Sequence, residues 1–441
     1  MKLNYTQQEV LQFVQENDVK FIRLAFCDIF GMMKNISIMA AELERAFDSG
    51  ISFDASVVRG FMNVEESDLL LFPVPATLEV LPWRPQQGRV ARFFCEIRHP
   101  NGRHFNGDSR FLLQQTAEKM AGLGYRCQIG AECEFYLFEM DEHGQPTKIP
   151  HDQAGYLDIA PLDKGENVRR EICLTLEEMG IRPESSHHEQ GPGQNEIDFR
   201  YAEALLAADQ LVTFKSVVKT IAAQNGLFAS FLPKPLAHYS GSGMHINMSL
   251  AKNGVNIFRT DGQGHSPEAE HFIAGILSRI TEITLFLNPL TNSYARFGQF
   301  EAPKYVTWSH QNRSQLIRIP AASGEQARME LRSADPACNP YLAFALLIEA
   351  GLEGIEQKRP LKAPSNFNIY QAAAKQMADV QALPATLAEA IAITKRSSFV
   401  KRVLPEHLVD KYIETKVKEW EDFQAAADQT QFEDRQYFKM I

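Results

Sequence analysis

No Cys-x-x-C pair, no P-loop and no glycine-rich dinucleotide fingerprint occurs in the 441 residues. The six cysteines, at 27, 95, 127, 133, 173 and 338, are scattered, several inside apolar runs such as Leu24–Ile29 and Phe93–Ile97. Such thiols read as reduced and buried, which argues against a disulfide scaffold or a cysteine-based zinc site. Without G-x-x-x-x-G-K-[ST] or G-x-G-x-x-G, any nucleotide has to be held in another way. No run of about 18 apolar residues is present, so no membrane span is expected. The stretch Met1–Asn17 is polar and helical in pattern, unlike a signal peptide, and a soluble, cytoplasmic protein is expected. An excess of positive charge is also missing. Lys and Arg number 45 against 55 Asp and Glu, a net −10, which disfavours nucleic acid or an anionic membrane as the main partner. A local arginine cluster can still oppose that sign.

What is present is an ordinary globular composition, 44% hydrophobic and 23% charged, with length for one large or two unequal domains. The pattern predicts a helix over 7–17 and strands over Val19–Phe26 and Asn35–Ile38, joined by a turn at Asp28–Gly31. A helix over Ala41–Phe47 stops at Gly50, and Leu69–Phe72, Leu78–Leu81 and Val90–Ile97 look strand-like. Together they make a small α+β unit that closes at the Pro100-Asn101-Gly102 break. Beyond it, Asp108-Ser109 caps a helix, and short alternating strands then interleave with helices, the clearest over Ala204–Ala223 and Glu268–Phe286. Asn339-Pro340 opens another helix through Gln357, and 385–423 is helical and charged.

The informative segments are strands with one apolar face and one chemically armed face, since successive side chains point to opposite sides. In Ile129–Phe138, the residues Ile129, Ala131, Cys133, Phe135 and Leu137 alternate with Glu132 and Glu134. Two carboxylates side by side repel, and their pKa values rise unless a cation sits between them; a plain solvated face is the alternative. In Met244–Leu250, Met244, Ile246 and Met248 alternate with His245, Asn247 and Ser249, and the preceding Gly241-Ser242-Gly243 lets backbone approach a ligand. Glu189 precedes a glycine–proline loop and Glu196 follows it, with Glu196 and Asp198 opposing Ile197 and Phe199. The paired His187-His188 invites a zinc reading, but no H-E-x-x-H or Cys/His spacing supports it. In Arg328–Arg332, Met329 and Leu331 face the core while Arg328, Glu330 and Arg332 share the other face, either as a structural ion pair or as a metal ligand beside oxyanion clamps. Arg313 and Arg318 add further cations. Glutamates plus one histidine suit magnesium or manganese better than zinc, and a two-metal site with arginine clamps suits phosphoryl transfer.

These segments closely resemble the type I glutamine synthetases of bacteria, nearly end to end. The likeness runs through Phe53-Asp54 with Gly60-Phe61, Glu65-Glu66-Ser67-Asp68, Gly130–Phe135, Ser186–Glu189, Gly193–Glu196 and Lys234-Pro235. It continues in Gly241–His245, Asn292-Ser293-Tyr294, Glu301-Ala302-Pro303, Gln311–Ser314 and Arg328–Leu342. The resemblance implies an α+β architecture: a small β-grasp-like N-terminal domain over 1–101, then a catalytic domain over 102–441 with a funnel-shaped antiparallel sheet flanked by helices. It implies a homo-oligomer, a dodecamer of two hexameric rings, with active sites between subunits. Glu134, Glu189 and Glu196 match ligands of the metal nearer glutamate, and Glu132, His245 and Glu330 match those of the metal at the ATP phosphates. Gly241, Arg296 and Arg332 match glutamate-binding residues, and Arg313, Arg318 and Arg328 match those around the phosphates. Ser249 matches a contact on the adenine side. Asp54, from the neighbouring subunit, matches the base that takes a proton from ammonium, with Tyr156, Glu189 and Glu301 in the same pocket and Glu301 on a flap.

The activity so implied joins ammonia to glutamate at the expense of ATP through a γ-glutamyl phosphate, from which the flap must exclude water. Departures cluster at the amine pocket. The family's Asp-Gly-Ser-Ser stands here as Asp54-Ala55-Ser56-Val57, Ser240 replaces an asparagine, Asn63 replaces an arginine, and the flap Arg296–Glu301 is one residue short and lacks its proline. A γ-glutamyl–amine ligase with an organic amine acceptor is therefore the alternative. A non-catalytic binder would be expected to have lost ligands, and a generic two-metal phosphohydrolase would need neither Asp54 nor the flap.

Overall fold

The computed structural model describes residues 5–64, 67–84, 86–259, 265–372, 374–377 and 379–441. Glu65 and Glu66, within one of the matching segments, lie outside them. The chain is α+β. Its first sheet has six strands, β1 (Val19–Cys27), β2 (Met33–Met39), β3 (Ile51–Asp54), β4 (Asp68–Pro73), β5 (Glu79–Val80) and β6 (Arg89–Arg98). The order is β2-β1-β6-β4-β3, with β5 beside β6; β1 and β6 run parallel, and the other pairs antiparallel. The helix expected over 7–17 spans Gln7–Glu16, opened by a Thr6 side chain that accepts from the Glu9 amide while Glu9 reaches back. The expected Ala41–Phe47 helix is a 3-10 turn (Ala40–Glu42) passing into an α-helix (Leu43–Ser49), and the expected Leu78–Leu81 strand narrows to Glu79–Val80 behind the Pro75–Thr77 turn.

The second sheet has eleven strands: β7 (Tyr125–Met140), β8 (Pro146–Pro150), β9 (Pro183–His188), β10 (Gln194–Phe199), β11 (Ala202–Glu203), β12 (Leu227–Ser230), β13 (Met244–Lys252), β14 (Val255–Asn256), β15 (Trp308–His310), β16 (Ile317–Ile319) and β17 (Met329–Leu331). Its spine is β15-β16-β17-β13-β7-β10-β9, antiparallel except for β15 and β16. The long β7 organises it, pairing with β13 and β10 and also with β8, β11 and β12. The alternation read from the sequence holds: Ile129, Ala131, Cys133, Phe135, Leu137, Met244, Ile246, Met248 and Leu250 are buried. Each large aliphatic or aromatic side chain so buried contributes roughly 1.5–3 kcal/mol. The helices Ser109–Gly122 and Ala204–Gln224 pack against β7, and Pro340–Glu356, buried along most of its length, packs on both and on Pro267–Leu287.

The two sheets share one continuous core. Buried polar contacts join them: Arg92 of β6 donates to Thr213 at 2.7 Å, and the Asn339 amide donates to the carbonyls of Asp28 and Ile29 at 3.3 and 3.2 Å. Arg110 forks onto Asp209 with both bonds at 2.9 Å, and the Tyr341 hydroxyl donates to the same carboxylate. Five of the cysteines are buried and all are free, as expected, with Cys173 partly exposed. No helix among the described residues is long and apolar enough to cross a membrane.

Candidate active site

Strand register, more than sequence proximity, assembles the site. Glu132 of β7 lies opposite His245 of β13, and Glu134 lies opposite Glu196 of β10. Glu330 of β17 stands next to Asn247 of β13 on one side and Arg318 of β16 on the other. Glu196 in turn faces His187 of β9. Because the pleat period is two, these register partners share the armed face that the apolar alternation leaves free.

That face lines a cavity of about 900 Å³. Around it stand Glu132, Glu134, Tyr156, Glu189, Glu196, Gly241, His245, Arg296, Glu301, Arg313, Arg318, Arg328, Glu330 and Arg332, all anticipated from the sequence. Ser249 lies in an adjoining recess of about 320 Å³ that shares Glu132, Asp198, Gln326 and Arg328 with the main cavity. Asp54 is absent from both. It sits exposed at the end of β3, its Oδ1 accepting from the Ser56 amide at 2.9 Å and hydroxyl at 2.6 Å, which lowers its pKa. A larger groove of about 1220 Å³ runs between loop 56–62 and the helix Glu406–Ala425, but it brings together no comparable set of carboxylates, imidazole and arginines.

The two sides of the cavity differ in charge. On the β13–β17 side, the Glu132 carboxylate is 3.1 Å from His245 Nδ1 and accepts from Asn247 Nδ2 at 2.9 Å. Burial works against its ionisation, yet the His245 and Asn247 contacts bring it down to about 2. Glu330, also buried, accepts from Arg318 at 2.6 Å and Arg332 at 2.5 Å, and these guanidiniums with His245 hold it below the usual carboxylate range. On the β10 side, burial and then the charges of Glu134, Asp198, Glu132 and Glu189 push Glu196 well above that range. Glu134 is raised by burial and by Glu189, although its Oε2 accepts from Gln194 at 2.9 Å and from the Gly243 amide at 2.8 Å.

Two clusters on the cavity wall keep ligand atoms within 4.8 Å of one another, Glu132–His245–Glu330 and His187–Glu189–Glu196. The donors are carboxylates with an imidazole in each and no thiolate, a set suited to hard divalent cations. The carboxylates crowded on the β10 side, Glu134 and Glu196 above all, are what such a cation would relieve. The residues therefore fit divalent metals.

A Cβ at Gly243 would lie 2.4 Å from an Arg296 nitrogen, so any other residue there would displace that guanidinium. Arg296 itself is buried and donates to the carbonyls of Ser333 at 3.0 Å and Arg332 at 3.2 Å. On the flap, Phe300 and Glu301 both adopt left-handed φ, 45° and 65°, an uncommon backbone for non-glycine residues. Phe300 covers the Lys234 ammonium at 4.7 Å, and Glu301 comes within 3.8 Å of Arg332.

Sequence reasoning gave no role to His187 or Gln194. His187 Nε2 is 3.0 Å from Glu189, and its ring meets Tyr156 edge-on at 5.6 Å. Strand alternation could have separated His187 from His188, but β9 reads Pro-Glu-Ser-Ser-His-His, without an apolar rhythm to mark it as a strand. Gln194 bonds Glu134 and the Gly241 carbonyl, and no spacing rule foretells that contact.

A β-grasp sheet joined to a carboxylate-lined antiparallel sheet defines a two-domain α+β enzyme. The chain matches the family model "Glutamine synthetase, beta-Grasp domain" over residues 18–100 and "Glutamine synthetase, catalytic domain" over 106–435. It belongs to the glutamine synthetase family, ATP-dependent C–N ligases that use divalent metals. Curated relatives named glutamine synthetase include that of Methanosarcina mazei, 47% identical with 96% of each chain covered, and that of Staphylococcus aureus strain Mu50, 42% identical with 99% of each covered. Among solved structures, a GmaS/ADP complex superposes with a TM-score of 0.87 at 29% identity, covering 97% of this chain and 98% of that one. Plasmodium falciparum glutamine synthetase shares the fold, with a TM-score of 0.86 at 24% identity over 98% of this chain and 99% of its own.

Proposed function

We propose that this chain is a type I glutamine synthetase of the bacterial kind, joining ammonia to the γ-carboxylate of L-glutamate with ATP through a γ-glutamyl phosphate. The observation that carries the reading is the register pairing of Glu132 with His245 and Glu134 with Glu196, with Glu330 and five arginines around one cavity. Two magnesium or manganese ions, held by Glu134, Glu189 and Glu196 and by Glu132, His245 and Glu330, would supply charge neutralisation at the phosphates. Arg313, Arg318 and Arg328 clamp the phosphate oxygens, Ser249 meets the adenine end, and Gly241, Arg296 and Arg332 hold glutamate. Domains over 1–101 and 102–441 accord with the two sheets.

Asp54 is exposed and outside the cavity of its own chain. It serves a neighbour's cavity in a homo-oligomer, a dodecamer of two hexameric rings, where it takes the proton from ammonium beside Tyr156, Glu189 and Glu301. The flap carrying Glu301 then shields the acyl phosphate from water. The protein works in the cytoplasm. One observation favours a second reading: Val57, apolar and largely exposed three residues from Asp54, suits an alkylamine acceptor. Incubation with glutamate, ATP and manganese, offering ammonium, methylamine, ethanolamine or putrescine, separates the two. Glutamine formed in step with phosphate from ammonium is expected; product from an organic amine but none from ammonium would replace the first reading with the second.

A further inference from the structure

Behind the armed face lies a fully buried imidazole that the chemistry above does not use. His188 is 0% exposed, adjacent to Glu189 and turned away from the cavity that His187 lines. Its Nδ1 is 2.7 Å from the Glu189 carbonyl oxygen, which can only accept, so Nδ1 carries a hydrogen. Its Nε2 is 2.9 Å from Asp152 Oδ1. That carboxylate also accepts from the amides of Gly193 at 2.9 Å and Ala154 at 3.3 Å on Oδ1, and of Lys164 at 3.1 Å on Oδ2. Both ring nitrogens are thus engaged, one by a backbone carbonyl and one by a carboxylate.

The cluster of Asp152, Asp163 and His188 has metal-like spacing. Its oxygens are already spent on internal donors, Asp163 on Arg169 and on the Gly165 amide at 2.9 Å. It is a strut. Through Asp152 it gathers loop 152–164, which carries Tyr156, and the turn 189–194 that leads into Glu196; the His188 carbonyl also accepts from the Leu157 amide at 3.0 Å. Three segments that point side chains into one half of the cavity thus converge on a single buried pair.

We infer that His188, paired with Asp152, is a positioning residue that fixes Glu189 and its flanking loops, and so sets cation affinity on the Glu134–Glu189–Glu196 side without touching the Glu132–His245–Glu330 side. The inference rests on the ligand assignment proposed above. Groups that orient metal ligands from behind commonly change affinity 10–100-fold, roughly, when removed.

The test is manganese titration of the metal-stripped full chain, followed by electron paramagnetic resonance of free Mn²⁺, with thermal melting as the control for folding. Wild type should bind two ions per chain. His188→Leu should keep one at wild-type affinity and weaken the other about 10–100-fold, with KM for glutamate rising more than KM for ATP. Asp152→Asn keeps an acceptor towards His188 and Gly193 but sets amide hydrogens against the Lys164 N–H, so it should show the same selective loss, smaller. Glu189→Gln separates the two ideas. If it weakens one ion while His188→Leu, folded, binds both as wild type does, the positioning role is wrong. If Glu189→Gln itself leaves both ions unchanged, the ligand assignment is what fails. Should His188→Leu not fold, Asp152→Asn decides, and unchanged affinity there overturns the inference.

Discussion

On the β13–β17 side of the cavity each carboxylate has a cationic or amide partner, Glu132 with His245 and Asn247, Glu330 with Arg318 and Arg332. On the β10 side Glu134 and Glu196 face each other across a strand pair, with Glu189 and Asp198 adding like charge. The same residue type is thus stabilised as an anion on one wall and destabilised as one on the other. The first wall pairs its charges internally, whereas the second has the more to gain from a cation. A shared cavity can therefore combine a preformed anion-clamping surface with one whose folding cost is recovered on metal binding.

Substitutions that remove charge from each wall should separate them most sharply. Glu330→Gln and Glu196→Gln are both expected to cut turnover by about 10³ or more, but to move the melting temperature of the metal-free chain in opposite directions. Glu330→Gln weakens the partner of buried Arg332 and half-buried Arg318 and lowers it, while Glu196→Gln relieves crowding and raises it. A fall for both would break the comparison. Next in size, Arg332→Met removes a partner from buried Glu330 and should cost about 3 kcal/mol by denaturant titration, less if Arg318 compensates.

The pH dependence carries opposite signs. Folded Glu196 holds its proton more readily than the unfolded chain does, so as pH rises above the ordinary value of about 4.3 the metal-free protein loses stability. Folded Glu132, held near 2, contributes stability that is present above the unfolded value and lost as pH falls towards 2. Melting curves of the stripped chain from pH 4 upward should show the alkaline decline, and Glu196→Gln or added Mn²⁺ should flatten it. The smallest effect belongs to Asn247, whose amide donates to Glu132 and accepts from Arg328 at 2.9 Å. Asn247→Leu should cost about 1–2 kcal/mol and move the acid limb to higher pH; no movement of that limb would remove Asn247 from the account of Glu132.

Much of this was legible in the chain itself. Apolar residues at every second position over Ile129–Phe138 and Met244–Leu250 announced strands with a reserved face, and the structure keeps both, extending the first to Tyr125–Met140. The cap at Asp108 and the Asn339-Pro340 start are where the sequence signals put them. Strand β9 escaped because its polar residues sit at an edge of the sheet, where burial does not impose alternation. Short β15 and β16, three residues each, carry too little periodicity to be read, whereas β17 lies within the alternation seen over Arg328–Arg332.

Sequence alone determined which side chains would share a face, because alternation is local and follows from the two-residue pleat. Only the tertiary structure decided which faces meet: that Glu196 stands opposite Glu134 across β7 and β10, that His187 turns inward while His188 is locked behind it on Asp152, and that Asp54 stays outside its own chain's cavity. Register, strand order and the course of the loops depend on contacts between residues far apart in the chain, which no local pattern encodes.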